Sequence, residues 1–399
     1  MALKTSRGDL VLLGFGEAYA AIETAWSLRD AGFRIAAFAR RGERPALRRV
    51  RGVEVHEVTA PEQDVGQTLE DLRALVGSLE PAAFLPLDDA SVLLADRLED
   101  EGVTIAGATG QRAEYALDKA LQVEAAREAG LLVPTTTVIS DPAALKVDDY
   151  PAVVKPARAL YEVNGRLARP TGKVVADQDE LEQAARDEWY PPLLVQPLIE
   201  GTGEGLFGIV TKGGLSALSA HRRVRMLNPQ GSASSACESI EVDEELVAPT
   251  ERFLSAIGWS GLFMVELLRD REGRPWFMEL NGRAWGSMAL ARRRGFEYPA
   301  WTVRAVLDPD FDPVQPVDPP DIVARHLGME LAHLAFVLRG PQSKALTSWP
   351  KLWPTLRAMT RHSSRNRLYN WRRSEPDVLA VDTWGFVRFF ARRALSSDR

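Results

Sequence analysis

Phe263-Met264-Val265-Glu266-Leu267-Leu268, a charged turn from Arg269 to Gly273, and Pro275-Trp276-Phe277-Met278-Glu279-Leu280-Asn281-Gly282-Arg283 decide how this chain folds. Two apolar runs joined by a polar, glycine-containing turn read as a β-hairpin. Each run carries a glutamate between apolar neighbours, and burying either carboxylate without positive compensation costs several kcal/mol. Period-two alternation puts Glu279 and Asn281 on one face, with Arg283 two residues further on. Two carboxylates and an amide oxygen are hard ligands suited to Mg²⁺ held against phosphates. Arg283 continues that face toward a transferring phosphoryl group. A solvent-facing Glu279 with Arg283 in a surface ion pair would account for one such acid. It does not account for Glu266 and Glu279-Leu280-Asn281-Gly282-Arg283 together.

Working upstream, Lys155 lies in the apolar strand Ala152–Pro156, which has no reason to bury an ammonium unless an anion meets it. Snorkelling at a sheet edge is the alternative. Asp118 and Lys119 open a helix that Gly130 stops. Leu193–Pro197 is a strand leading into a hinge, where main-chain groups suit an adenine edge and Glu204 suits a ribose hydroxyl; Gln196 sits in that strand. In the strand that follows, alternation sends Arg223 and Arg225 to one face and Arg222 to the other. Guanidinium groups there suit a carboxylate or phosphate, and a solvated basic strand is the bland reading. His221 reads as structural. Cys237, in a small-residue segment after Ser235, reads as a stand-in for serine.

Further upstream the pattern changes. Residues 9–17 read as a buried strand ending in a glycine turn, residues 21–28 as a helix ended by Gly32, and Phe33 to Ala39 as a second strand. Further elements follow: helices over 68–79 and 90–101 and strands over 82–87 and 103–106. This β-α-β alternation favours a parallel sheet. The turn Gly14-Phe15-Gly16 is not a dinucleotide fingerprint, because Tyr19 replaces its third small residue and Arg40 and Arg41 stand where an acidic ribose ligand belongs. Strands over 136–139 and 152–156, a polar glycine-containing loop over 165–172, and a short helix over 179–188 come next. The antiparallel-looking strands 205–210, 215–223, 261–268 and 275–280 complete the set.

A length of 399 residues accommodates two or three domains. No apolar run is long enough for a transmembrane helix, and the start of the chain lacks a signal peptide's apolar region. One cysteine excludes an internal disulfide framework, so a reducing cytoplasm is expected. The net charge of −6 is unevenly spread. From Asp321 to Arg399 fourteen Lys and Arg stand against six Asp and Glu, a local +8. This tail holds Trp349, Trp353, Trp371 and Trp384, and its end reads as a basic amphipathic helix. Packing of its aromatic face on the main body is the favoured reading; contact with an anionic lipid surface or a protein groove is the other. An acidic main body argues against nucleic acid.

The ordered set Asp118-Lys119, Val154-Lys155-Pro156, Gln196 to Gly201, Glu266 and Glu279-Leu280-Asn281-Gly282-Arg283 resembles the ATP-grasp superfamily, in particular its carbamoyl phosphate synthase large-subunit-like carboligases. The likeness covers roughly residues 9 to 310. It implies an N-terminal α/β domain over 1–115 and α+β ATP-grasp lobes over 116–310 with a lid near 135–195; outside it, 311–399 reads from its own composition as a basic, mostly helical extension. It implies ATP held by Lys119, Lys155, Gln196 and Glu204, with Mg²⁺ or Mn²⁺ on Glu266, Glu279 and Asn281. Arg283 and Lys155 would be catalytic, and Arg223, Arg225 and Ser235 would bind substrate. The implied reaction is that of a cytoplasmic carboxylate-amine ligase acting through an acyl phosphate on small carboxylate and amine substrates, as a monomer or homo-oligomer. The alternatives are bicarbonate-dependent, carbamoyl phosphate-type chemistry and a non-catalytic nucleotide-binding protein at a membrane surface. Two departures stand out: the loop 157–172 is poor in glycine, and Gly282 stands where such carboligases often carry proline.

Overall fold

The computed structural model describes residues 7–185, 189–231 and 233–396, with the backbone alone for 7 and 390–396. Strands β1 (Leu10–Gly14), β2 (Arg34–Arg40), β3 (Val53–Val58) and β4 (Ala83–Pro86) form a parallel sheet in the order β3-β2-β1-β4. Its connections carry α1 (Ala21–Asp30) and α2 (Val65–Leu79), and α3 (Asp89–Asp96) follows β4. Every β1 residue is buried, as in parallel sheets covered on both faces. A Cβ on Gly14 would lie 1.9 Å from the Phe38 ring, so only glycine fits the end of β1. β3 is an addition to the expected strands. The strand expected at 103–106 reduces to a single bridge between Phe84 and Ile105.

Beyond α4 (Gln111–Leu117) and α5 (Lys119–Glu128) come β5 (Thr137–Ile139) and β6 (Ala152–Pro156). The segment expected to begin a flexible loop lies instead partly in a hairpin, β7 (Tyr161–Val163) and β8 (Arg166–Ala168). Its turn uses Asn164 and Gly165, both at positive φ, the pairing that two-residue hairpins demand. Leu160 and Leu167 pack into the core of the first sheet. Main-chain bonds from Val65 N to Gly165 O (2.8 Å) and from Leu167 N to Pro61 O (2.9 Å) fasten the hairpin there. Strands β9 (Lys173–Val175) and β10 (Leu193–Pro197) complete a second sheet, β5-β10-β6-β9, on which α6 (Gln178–Ala184) packs Leu181 and Ala184. The helix was expected to reach Glu188, but residues 186–188 lie outside the described residues.

The third sheet contains β11 (Gly201–Thr211), β12 (Gly214–Met226), β13 (Ser234–Ile240), β14 (Gly261–Asp270), β15 (Pro275–Asn281), β16 (Val323–Arg325) and β17 (Asn366–Leu368). Their order is β15-β14-β11-β12-β13-β16-β17, antiparallel except for the last pair. Odd-numbered Phe263, Val265 and Leu267 of β14 face α7 (Glu244–Ala256). Even-numbered Leu262 and Met264 share a core with β1, α1, α8 (Met288–Arg293) and α9 (Tyr298–Leu307). Glu266 belongs to the even series, which turns it toward the first sheet.

The basic extension supplies α10 (Leu327–Arg339), α11 (Leu352–Thr360) and α12 (Pro376–Ser396), and also strands β16 and β17, which the helical reading omitted. Val378 of α12 is fully buried in the core that holds Trp26. Phe386 fills the space over Gly328, where a Cβ would come within 2.7 Å. Part of the apolar face of α12 thus packs on the body, while Trp353 and Trp384 stay exposed. The Arg392 and Arg393 side chains lie outside the described residues. Among the described residues no helix is long and apolar enough to cross a membrane.

Candidate functional site

Glu266 and Glu279 stand directly opposite each other across β14 and β15, one pair before a bulge in the ladder. Directly opposed side chains lie roughly 5 Å apart at Cβ, so two carboxylates meet here. Glycines on the neighbouring strand β11 make room on this face. A Cβ on Gly203 would strike Arg223 at 2.6 Å, and one on Gly205, the partner of Glu266, would lie 2.7 Å from Phe207. Arg223 crosses Gly203 and reaches Glu266 Oε1 at 2.7 Å. Lys119 Nζ, at the start of α5, is 3.6 Å from Glu279 Oε2. Asn281 Nδ2 donates to Glu279 Oε1 at 3.2 Å.

The electrostatics follow from this crowding. Burial raises the pKa of Glu266, Arg223 opposes the rise, and Glu279 adds to it. Burial also works against ionisation of Glu279, but Lys119, Lys155 and Arg283 outweigh it and lower its pKa. Lys155 in β6 is pushed down to about 8, chiefly by burial, with Glu279 pulling the other way and Lys119 repelling. The lysine therefore still carries its charge at neutral pH, at a cost that a bound anion would offset.

Arg283 adds a group that the sequence reading missed. Its Nε donates to Asp89 Oδ1 at 2.7 Å, and Arg169 from the loop after β8 lies 3.3 Å from Asp89 Oδ2. Asp89 is the first residue of α3, whose start is fixed by a reciprocal capping box between Asp88 and Ser91. The available signal was the pair Asp88-Asp89 at the C-terminal end of a parallel strand, where such sheets place their ligands. Gly282, the second departure noted in the sequence, has a packing reason: a Cβ there would lie 2.4 Å from Trp259 and 2.9 Å from Ala116.

Other candidates are not brought to this group. Gln196 is buried and donates to Thr136 Oγ1 at 2.8 Å. Glu204 lies on the opposite face of the sheet from Glu266, opposite Leu267, with its carboxylate held by Arg269 at 2.8 Å. Arg225 is a correction to the alternation argument. A bulge between Arg223 and Arg225 breaks the period of two. Arg225 therefore pairs with buried Glu330 of α10, which Arg325 also holds at 2.6 Å, and the guanidinium is not free for substrate. Arg222 pairs with Glu238 on the other face. Ser235 is fully buried, and its Oγ has no hydrogen-bond partner among the described residues. His221 donates to or accepts from Ser287 Oγ through Nδ1 at 3.0 Å, and burial depresses its pKa to about 3, so it stays neutral. Cys237 lies 2.9 Å from the Tyr369 hydroxyl, and burial pushes its thiol up to about 12, which leaves it unreactive.

Among the described residues no group of three or more His, Cys, Asp or Glu is arranged to hold a metal. The pair Glu266 and Glu279 with the amide oxygen of Asn281 fits a hard divalent ion that shares its remaining positions with a ligand's oxygens. A divalent ion would offset both the burial and the Glu279 charge that raise the pKa of Glu266. Around this pair stand Lys119, Lys155, Arg169, Arg223 and Arg283, five cations to the three carboxylates of Glu266, Glu279 and Asp89. That surplus suits a polyanion such as a triphosphate.

Comparison with known proteins gives a consistent picture. Residues 190–327 match a family model described as ATP-grasp in the biosynthetic pathway with Ter operon. The fold is similar to L-amino acid ligase from Bacillus licheniformis, with 19% identity and a TM-score of 0.61 over 76% of this chain and 75% of that one. It is also similar to the biotin carboxylase domain of Hydrogenobacter thermophilus 2-oxoglutarate carboxylase, solved with MgADP, ADP and bicarbonate (16% identity, TM-score 0.61, 77% and 71% covered). A third is N5-carboxyaminoimidazole synthetase from Staphylococcus aureus (13% identity, TM-score 0.58, 78% and 80% covered). A comparison with curated protein sequences gives no match.

Proposed function

We propose that this chain is an ATP-grasp enzyme, an ATP- and Mg²⁺-dependent ligase that activates a carboxylate as an acyl phosphate and transfers the acyl group to an amine. The observation that carries this reading is the Glu266–Glu279 pair facing the first sheet within a ring of excess cations.

In this reading Lys119 and Lys155 hold the phosphates of ATP, and Arg283 steadies the phosphoryl group as it passes to the carboxylate oxygen. Glu279, Asn281 and Glu266 would hold Mg²⁺, and the same oxygen set would accept Mn²⁺. When bound, the ion supplies charge compensation to the phosphates. Arg223 spends one edge on Glu266, and its Nε–H, unpaired among the described residues, is available to the acyl donor. Asp89 aims Arg283. No nucleophilic side chain is needed, because positioning and electrostatics do this work. The β5-β10-β6-β9 lobe closes over the nucleotide against the hairpin fastened to the first sheet, and keeps water from the acyl phosphate.

The test is release of ADP and phosphate with ATP, Mg²⁺ and a panel of carboxylates and amino acids. Release that requires both a carboxylate and an amine and ignores bicarbonate is expected. Turnover that depends on bicarbonate and not on amine would instead assign carboxylation, a reading that the likeness to the biotin carboxylase domain keeps in view.

A further inference from the structure

Chain order in the first sheet reverses between β1 and β4, since β2 and β3 lie together on the far side of β1. In open α/β sheets the crevice beyond the strand ends at such a reversal is where ligands bind. Here the loop after β1 brings Glu17 and Tyr19 to that crevice, and the turn after β4 brings Asp88 and Asp89. Tyr19 packs within 3.6 Å of the Cβ position of Gly286, and Asp89 holds Arg283, so the two loops adjoin the proposed phosphoryl-transfer site.

Within it, Glu17 is half satisfied. Oε1 accepts from Arg40 N at 2.6 Å. Oε2 is buried with no hydrogen-bond donor among the described residues, its nearest cation being Arg40 Nη1 at 3.8 Å. Arg40 is itself shared with Glu62 at 2.8 Å and Asp88 at 3.6 Å. A buried acceptor without a donor calls for an explanation, and an ammonium group supplies N–H donors and positive charge together.

We propose that this crevice receives the amine substrate and that Glu17 is the base that takes its proton before attack on the acyl phosphate. This rests on the ligase reading above. The ammonium gives one proton to Glu17, and the amine nitrogen forms a bond to the acyl carbon. The carbon–oxygen bond to phosphate then breaks with its electron pair leaving on the phosphate, which takes the second amine proton as hydrogenphosphate. The pKa of Glu17 is raised to about 7, mainly by burial, with Arg40 lowering it and Asp88 raising it, a value suited to a base near neutrality.

The two steps separate experimentally, because hydroxylamine is largely unprotonated near neutral pH and captures acyl phosphates without a base. The measurement is amide and hydroxamate formation by the full-length protein at about pH 8 with the amino acid panel, in wild type and Glu17→Gln. Gln keeps the acceptor for Arg40 N. Amide formation is expected to fall about 100-fold in the variant, in the range of general-base catalysis, while hydroxamate falls less than about threefold. In melts, Glu17→Gln should be the more stable protein at about pH 8 and should lose that advantage near pH 4, where Glu17 is protonated in both folded and unfolded states. Amide formation within about threefold of wild type overturns the role of Glu17 and leaves the ligase reading intact. Equal loss of both products makes Glu17 structural and also overturns the proposal. A wild type that forms no hydroxamate overturns the ligase reading and the amine site with it.

Discussion

Lys155 illustrates a residue that works against the fold it belongs to. Its ammonium is held at the site by burial in β6, which depresses its pKa to about 8, and its relief comes from anions. Each unit of such a shift corresponds to about 1.4 kcal/mol, so without a bound anion a charged lysine here costs stability at neutral pH. Lys155→Met keeps the length and apolar stem and removes the charge. The variant is expected to be more stable than wild type by about 1–3 kcal/mol in urea denaturation at neutral pH, and to lose substrate-dependent ATP turnover. A variant less stable than wild type would show that the lysine is already well paired. Lys155 stood out in the sequence because an ammonium in the apolar strand Ala152–Pro156 calls for an anion or for snorkelling at an edge. Asp89 stood out less: the Asp88-Asp89 pair at the end of a parallel strand marks a ligand-facing turn, but does not say which distant arginine it aims.

At the scale of elements, bulges decide which side chains meet. The hairpin keeps the alternation that puts Glu266 and Glu279 on one face, and its bulge falls just past them. In β12 the bulge falls between Arg223 and Arg225, so two arginines expected to act together part company. Arg223 goes to Glu266, while Arg225 joins Arg325 around Glu330, whose side chain is 1% exposed. Period-two reasoning cannot see an inserted residue, which is why the sequence assigned both arginines to substrate. The consequence is testable. Glu330→Ala leaves two largely buried guanidinium groups without their carboxylate and should cost about 3–5 kcal/mol in denaturant titration. A loss below about 1 kcal/mol would mean that solvent or another acid takes over the pair. Hairpin β7–β8 was likewise hidden: Asn164-Gly165 is a strong turn signal, but the flanking strands are only three residues each.

Across the whole molecule, the first sheet, the hairpin and the tail are tied together. One core runs from Val11 and Trp26 through Met264 to Val378. The tail is further locked by Glu375, which accepts from Trp26 Nε1 (2.7 Å), Arg29 Nη1 (2.7 Å) and Arg51 N (2.9 Å). The hydrogen bond from Arg29 leads in depressing its pKa from 4.5 to about 2. A depressed carboxylate stabilises the fold above its unfolded pKa and stops doing so as pH falls through the folded one. Glu375→Gln is therefore expected to cost about 3 kcal/mol near pH 7, with the gap to wild type closing between about pH 4.5 and 2. A gap that does not change with pH would assign the loss to hydrogen-bond geometry instead of charge. The sequence conveyed the order of the parts, a parallel sheet, then antiparallel lobes, then a basic tail. It did not convey that the tail returns to α1, because one glutamate meeting residues more than 300 positions away leaves no local pattern.

The central claim is that Glu266 and Glu279 form an ion-binding pair beside a bound triphosphate, and substrate-dependent ADP release by Glu279→Ala tests it most directly. The expected result is a folded protein whose turnover drops at least about 100-fold and is not restored by raising Mg²⁺ within the range that saturates wild type. Turnover equal to wild type would contradict it.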